Sequence, residues 1–231
     1  MHNLKYCATK MATWVILSSL HLLDILMLKI TKRIAVMGGT FNPIHYAHLL
    51  SAEQVRVGLG YDNILFIPSA RPPHKVADAD IIEPEHRYQM VLLAIAGNPN
   101  FEVSRIELER AGPSYTIETL KSLQKLYGET AELAWIIGAD SLIEYKVWRD
   151  FDEVLARCVM IATTRPNYDL NRVPLEVRKR VTTFPVTGVD ISATAIRERI
   201  RNGLSIRYLV PETVETYIHQ YQLYQQMKNP V

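Results

Sequence analysis

Two imidazoles, His45 and His48, stand three positions apart just beyond a glycine pair, Gly38-Gly39, that closes an apolar run from Ile34 to Met37. Glycines at such a turn leave no side chain in the way, so peptide N–H groups can approach the oxygens of an anion closely. Once a helix has begun, a spacing of three puts both rings on one face. Histidines so placed can bind a metal, pack in a core, or donate hydrogen bonds to an anion. Zinc would want a third protein ligand, and no cysteine or carboxylate stands in evident position to supply it. A single histidine usually packs, but a pair beside a glycine turn at a strand end points to donors that stabilise charge building on a phosphate. The stretch, KRIAVMGGTFNPIHYAHLL, carries neither a Walker A loop nor GxGxxG.

A second anion site is written far downstream, in Asp190-Ile191-Ser192-Ala193-Thr194-Ala195-Ile196-Arg197. Ser192 is a natural N-cap, the free N–H groups of the helix start lie beside the hydroxyls of Ser192 and Thr194, and Arg197 follows about a turn later. Alone this is a well-capped helix. Paired with the first junction, it is a second end able to hold phosphates. A third turn of the same kind, Gly138-Ala139-Asp140-Ser141, follows the apolar segment Glu132 to Ile137, and a proline-stiffened loop from Ser69 to Lys75 carries Arg71, His74 and Lys75.

These groups must be positioned by the elements around them. Short apolar segments at 34–37, 63–68, 101–106, 132–137, 159–163 and 182–186 read as strands. Helical patterns fall between them at 48–58, 84–96 and about 115–127, and then at 192–201 and 211–227, the last with Val214, Tyr217, Ile218 and Tyr221 on one face. Alternating buried strands and amphipathic helices predict an α/β fold: a Rossmann-like doubly wound parallel sheet with helices on both faces, in a single domain. Ligands in such sheets sit beyond the carboxyl ends of the strands where strand order reverses, and both glycine junctions lie at such ends. No internal repeat or low-complexity tract interrupts the pattern.

The chain of 231 residues, 48% hydrophobic and 22% charged, has enough material for one substantial core. A net charge of +2 is no nucleic-acid footprint, so any anion binding must be local. Cys7 and Cys158 show no zinc spacing and suit a reducing, cytoplasmic compartment. Trp14 to Ile30 is strongly apolar, but Ser18, Ser19, His21 and Asp24 interrupt it, and an intramembrane Asp is costly. Residues 1–31 therefore read as a dispensable extension or a mis-assigned start, with Met11 or Met27 as alternative beginnings, rather than a membrane anchor. The domain proper is expected over 32–231. A tyrosine-rich C-terminal surface (Tyr217, Tyr221, Tyr224) suits packing on the sheet better than assembly, and a homo-oligomer stays open.

GGTFNPIHYAH followed by ISATAIR resembles the paired HxGH-type and ISSTxxR-type motifs of a nucleotidyltransferase superfamily. PPHK, RYQM, SYTIETL, WIIGADSL, the Trp148 region and TRPNY extend the match, from Lys32 to the C-terminus, to bacterial nicotinate-nucleotide adenylyltransferases. The resemblance implies that ATP and nicotinate mononucleotide, with Mg2+, give nicotinate adenine dinucleotide and pyrophosphate by direct attack on the α-phosphate. It assigns His45, His48 and Arg197 to catalysis. Gly39, Thr40, Phe41, Gly138, Asp140, Arg165, Ser192 and Thr194 are assigned to ATP, with Asp140 accepting from ribose hydroxyls and no metal ligand supplied by a side chain. Lys75, His74, Tyr115, Thr116, Trp148 and Arg149 go to the mononucleotide, Trp148 stacking on its ring, while Arg87 and Met90 are read as structural.

Two positions depart from the pattern. Ala47 replaces the usual Gly, so the backbone there must avoid positive φ or the helix must begin earlier. Asn42 replaces the commoner Asp and removes a charge near the phosphates. Rival readings are a related adenylyltransferase acting on nicotinamide mononucleotide or phosphopantetheine, and a non-catalytic nucleotide-binding module. The intact His45, His48 and Arg197 argue against the latter.

Overall fold

The apolar runs become strands and the patterned stretches between them become helices. The structure, a computed structural model, describes residues 32–73, 80–128, 130–164 and 172–225. The strands are β1 (Lys32–Gly39), β2 (Asn63–Pro68), β3 (Phe101–Val103), β4 (Ala131–Gly138), β5 (Val159–Thr164) and β6 (Thr182–Pro185). The helices are α1 (Tyr46–Leu59), α2 (Pro84–Ile95), α3 (Thr116–Tyr127), α4 (Ala139–Ile143), α5 (Phe151–Arg157), α6 (Leu175–Arg178), α7 (Ala193–Arg201) and α8 (Glu212–Gln220).

All pairings are parallel and the sheet order is β3-β2-β1-β4-β5-β6. Successive strand residues point to opposite faces. Ala35 and Met37 enter one core with α1, α2, α7 and α8, while Ile34 and Val36 enter the other with α3, α5 and α6. Covered on both faces, the strands must be apolar throughout, which is why β1 shows an unbroken buried run over Ile34–Met37. This is the doubly wound sheet expected from the sequence.

Two elements are shorter than their patterns suggest. β3 stops at Val103, where only β2 remains to pair with it. α8 stops at Gln220: Gln222 and Tyr224 take left-handed φ values of 52° and 63°, turning the chain back so that Leu223 and Tyr224 are buried. Tyr224 thus joins the core and no outer surface, whereas Tyr221 stays half exposed. Among the described residues no helix is long and apolar enough to cross a membrane, and the apolar N-terminal stretch lies outside them.

Candidate active site

Strand order reverses between β1 and β4, and their carboxyl ends lie side by side, Met37 opposite Ile136. A crevice opens there because connections leave the two strands toward opposite faces. It forms a cavity of about 530 Å³. Gly39, Thr40 and Phe41 line it from the end of β1, His45 and His48 from the start of α1, Gly138 and Asp140 from the end of β4, and Ser192, Thr194 and Arg197 from the start of α7. The sheet thus gathers the two motifs, far apart in the chain, into one space.

His45 is the N-cap of α1, in extended backbone at φ −149°, and Tyr46 is the first helical residue. The earlier helix start answers the Ala47 departure, since Ala47 is simply helical and its φ is not positive. The rings of His45 and His48 stack with centroids 3.7 Å apart and an interplanar angle of 23°. Phe41 meets His48 edge-on at 5.2 Å. The backbone N–H of His45 donates to His48 Nδ1 at 3.3 Å. A neutral imidazole accepting at Nδ1 carries its proton on Nε2, so His48 is fixed as an Nε2–H donor.

At α7, Ser192 is the expected N-cap, its Oγ accepting from the Ala195 N–H at 3.2 Å. Charge placement sets α1 and α7 apart. Among the described residues, α2, α3 and α8 place glutamates in their first turns, whereas α1 and α7 have no acid there. An acid in the first turn neutralises the positive end of a helix. The starts of α1 and α7 are thus left to attract an external anion, whereas the short α4, which also faces the cavity, carries Asp140 in its first turn.

Arg197, nearly buried, donates to the Asn42 carbonyl at 3.1 Å and lies 3.6 Å from the Asp80 carboxylate, which Arg201 also meets at 2.6 Å. The Arg201 hydrogen bond, above all, holds the Asp80 carboxyl below the usual range. Asn42 is itself a junction. Its amide donates to the Asp80 carbonyl at 2.9 Å, and its Oδ1 accepts from the Ile82 N–H at 3.3 Å and the Tyr224 hydroxyl at 3.0 Å. A carboxylate could not donate to that carbonyl, so asparagine here supplies a bond as well as removing a charge. Sequence reasoning missed Asp80 and the Asn42 junction; the only signal was the Asn42 departure.

The residues assigned to the second substrate form a separate group off this cavity. Tyr115 is the N-cap of α3 and Thr116 its first residue. The Arg149 guanidinium lies 4.8 Å from the centre of the Tyr115 ring, and Trp148 meets Phe151 edge-on at 6.1 Å. Beneath α3, Glu107 is buried and accepts from the Thr119 hydroxyl at 2.6 Å, and burial raises its carboxyl pKa. The same hydroxyl lies 3.3 Å from the Tyr115 carbonyl, placing that buried acid beside the helix start. His74, Lys75 and Arg165 lie outside the described residues.

A family model described as cytidylyltransferase-like matches residues 36–199, from inside β1 to inside α7. A relative from Moorella thermoacetica, named a probable nicotinate-nucleotide adenylyltransferase, is 46% identical over 199 residues, covering 83% of this chain and 91% of its own. A relative of the same name from Thermus thermophilus is 45% identical over 192 residues, covering 83% and 99%. Among solved structures, a Plasmodium falciparum nicotinic acid mononucleotide adenylyltransferase complexed with NaAD aligns with a TM-score of 0.68 at 18% identity, over 84% of this chain and 97% of that one. That likeness is one of fold. Matched through the motifs that line the cavity and over nearly the full length of its relatives, the chain belongs to the cytidylyltransferase-like family and, within it, to the nicotinate-nucleotide adenylyltransferases.

Proposed function

We propose that this chain joins ATP and nicotinate mononucleotide to give nicotinate adenine dinucleotide and pyrophosphate, a step of NAD biosynthesis. One observation carries the chemical part of this reading. His45, His48, Ser192, Thr194 and Arg197 converge on a single cavity at the sheet reversal, with two helix N-termini free of acidic side chains. That donor set suits a triphosphate. The mononucleotide phosphate oxygen attacks the α-phosphorus of ATP, a new P–O bond forms, and the bond to the bridging oxygen breaks as pyrophosphate leaves. Catalysis of this kind is positioning plus charge stabilisation.

In this reading His48 donates through Nε2–H and His45 stands beside it, both addressing oxygens whose charge grows in the transition state. Arg197, with the Ser192 and Thr194 hydroxyls and the N–H groups of α7, holds the departing phosphates. Gly39, Thr40 and Phe41 form the turn against which the phosphates lie, and Asp140 accepts from the ribose beside Gly138. Mg2+ would enter with ATP: the imidazole, hydroxyl and guanidinium donors around the cavity suit phosphate oxygens, and the ion would neutralise charge on the triphosphate. Tyr115, Thr116, Trp148 and Arg149, with His74 and Lys75, address the mononucleotide, and Arg165 the ATP. A reducing, cytoplasmic setting suits the free Cys158, whose thiol burial pushes up to about 12.

The test is pyrophosphate release from Mg·ATP with each acceptor in turn. Turnover with nicotinate mononucleotide about tenfold or more above that with the amide is expected, since one polar contact set must separate acid from amide. Preference for the amide or for phosphopantetheine would move the chain to a sister activity. No turnover with any acceptor would end the enzymatic reading.

A further inference from the structure

Arg87, on α2, is wholly buried at 0% exposure, a state arginine seldom adopts unless paired with an acid. Its hydrogen bonds go to backbone carbonyls instead. Nε donates to Ile82 at 3.0 Å, Nη1 to Thr40 at 2.7 Å and Nη2 to Ala70 at 3.3 Å. Burial pulls the guanidinium down to about 10, so it stays charged at neutral pH. The planar fork of a guanidinium fixes its acceptors relative to one another, which a lysine ammonium with the same charge does not.

The carbonyls it joins belong to the two loops that the reaction must align. Thr40 follows Gly39 in the turn that lines the cavity. Ala70 lies in the loop after β2, which is tied to both sides: the Ser69 N–H donates to the Gly39 carbonyl at 2.9 Å, the Ser114 N–H to the Arg71 carbonyl at 3.0 Å, and the Arg71 N–H to Ser114 Oγ at 3.2 Å. Ser114 leads directly into Tyr115 and Thr116 at the start of α3. A continuous chain of hydrogen bonds therefore runs from the cavity turn, through Arg87 and residues 69–71, to the residues read as the acceptor side.

We propose that Arg87 is a positioning residue, whose buried guanidinium sets the Thr40 turn relative to the Ala70–Ser114 tether and so holds the two substrates in line for attack. The inference rests on the functional reading above. Removing the fork leaves every contact to substrate in place but loosens their mutual alignment, and misplacement of that kind lowers kcat more than binding.

The experiment measures kcat and both KM values by pyrophosphate release for Arg87→Lys, Arg87→Met, Ser114→Ala and the double variant Arg87→Lys with Ser114→Ala, beside near-UV circular dichroism and thermal unfolding. Arg87→Lys is expected to fold, to keep each KM within about threefold and to lose on the order of a hundredfold in kcat. Ser114→Ala is expected to lose about threefold, and the double variant to be no worse than Arg87→Lys, because both changes break one tether. Should Arg87→Met fail to fold, the milder Arg87→Lys and Ser114→Ala carry the decision. Wild-type kcat in folded Arg87→Lys, a loss confined to KM, or fully additive losses overturns the proposal. An inactive parent chain would overturn the functional reading and this proposal together, whereas an active parent with unaffected variants overturns the role of Arg87 alone.

Discussion

An imidazole donates at neutral pH only through the ring nitrogen that holds its proton, and in His48 a backbone N–H occupies the other one. The bond that helps cap α1 therefore also chooses the tautomer. Replacing His48 by Ala is expected to lower kcat on the order of a hundredfold, as loss of a charge-stabilising donor does. It removes a cap interaction worth only about 1 kcal/mol, so Tm should shift little. Steady-state kinetics beside thermal unfolding check this, and a folded variant with parental kcat would show that the ring is only packing. The placement of the histidine pair at the cavity was legible because two histidines beside a glycine turn are rare enough to notice. Arg197 was legible too, but its bond to the Asn42 carbonyl was not, because backbone acceptors leave no mark on composition.

The turn after β1 works only while β1 and β4 lie tightly together. Gly38 pairs with Ile67 of β2, one residue past the last β1–β4 pair, and a Cβ added there would stand 2.4 Å from the ring of Trp135 on β4, itself buried. Nothing lies within 4 Å of a Cβ added at Gly138, the matching glycine at the end of β4. Gly38→Ala should therefore destabilise the protein by about 1–3 kcal/mol through overpacking, while Gly138→Ala should cost far less. Denaturant midpoints of the two variants decide it, and equal costs would mean that the Trp135 ring yields freely. The sequence marks both glycines as turn residues alike. Which of them is needed for close approach depends on a tryptophan in a neighbouring strand, and strand neighbours are a property of the sheet.

At the level of the whole molecule, the described sheet begins at Lys32 and the family match at residue 36. The Moorella thermoacetica relative matches 83% of this chain with 91% of itself. We propose that residues before Met27 are dispensable. A chain beginning at Met27 is expected to keep kcat and both KM values within about twofold, because every described strand and both motifs remain. Pyrophosphate-release kinetics of the shortened chain test it, and a large loss of activity in a folded product would give the segment a function.

The sequence by itself determined the fold class, the glycine junctions and the two helix starts read as anion sites. Each is a local property: apolar runs of strand length, a turn that needs glycine, a capping serine, imidazoles at helical spacing. Only the tertiary structure decided that these pieces face one cavity, because the reversal of strand order between β1 and β4 is set by which strands pair. It also decided the roles of Arg87, Asn42 and Asp80, whose partners are backbone carbonyls or residues distant in the chain. Such bonds form where buried polar groups must find partners after the sheet has assembled, and no periodicity records that demand in advance.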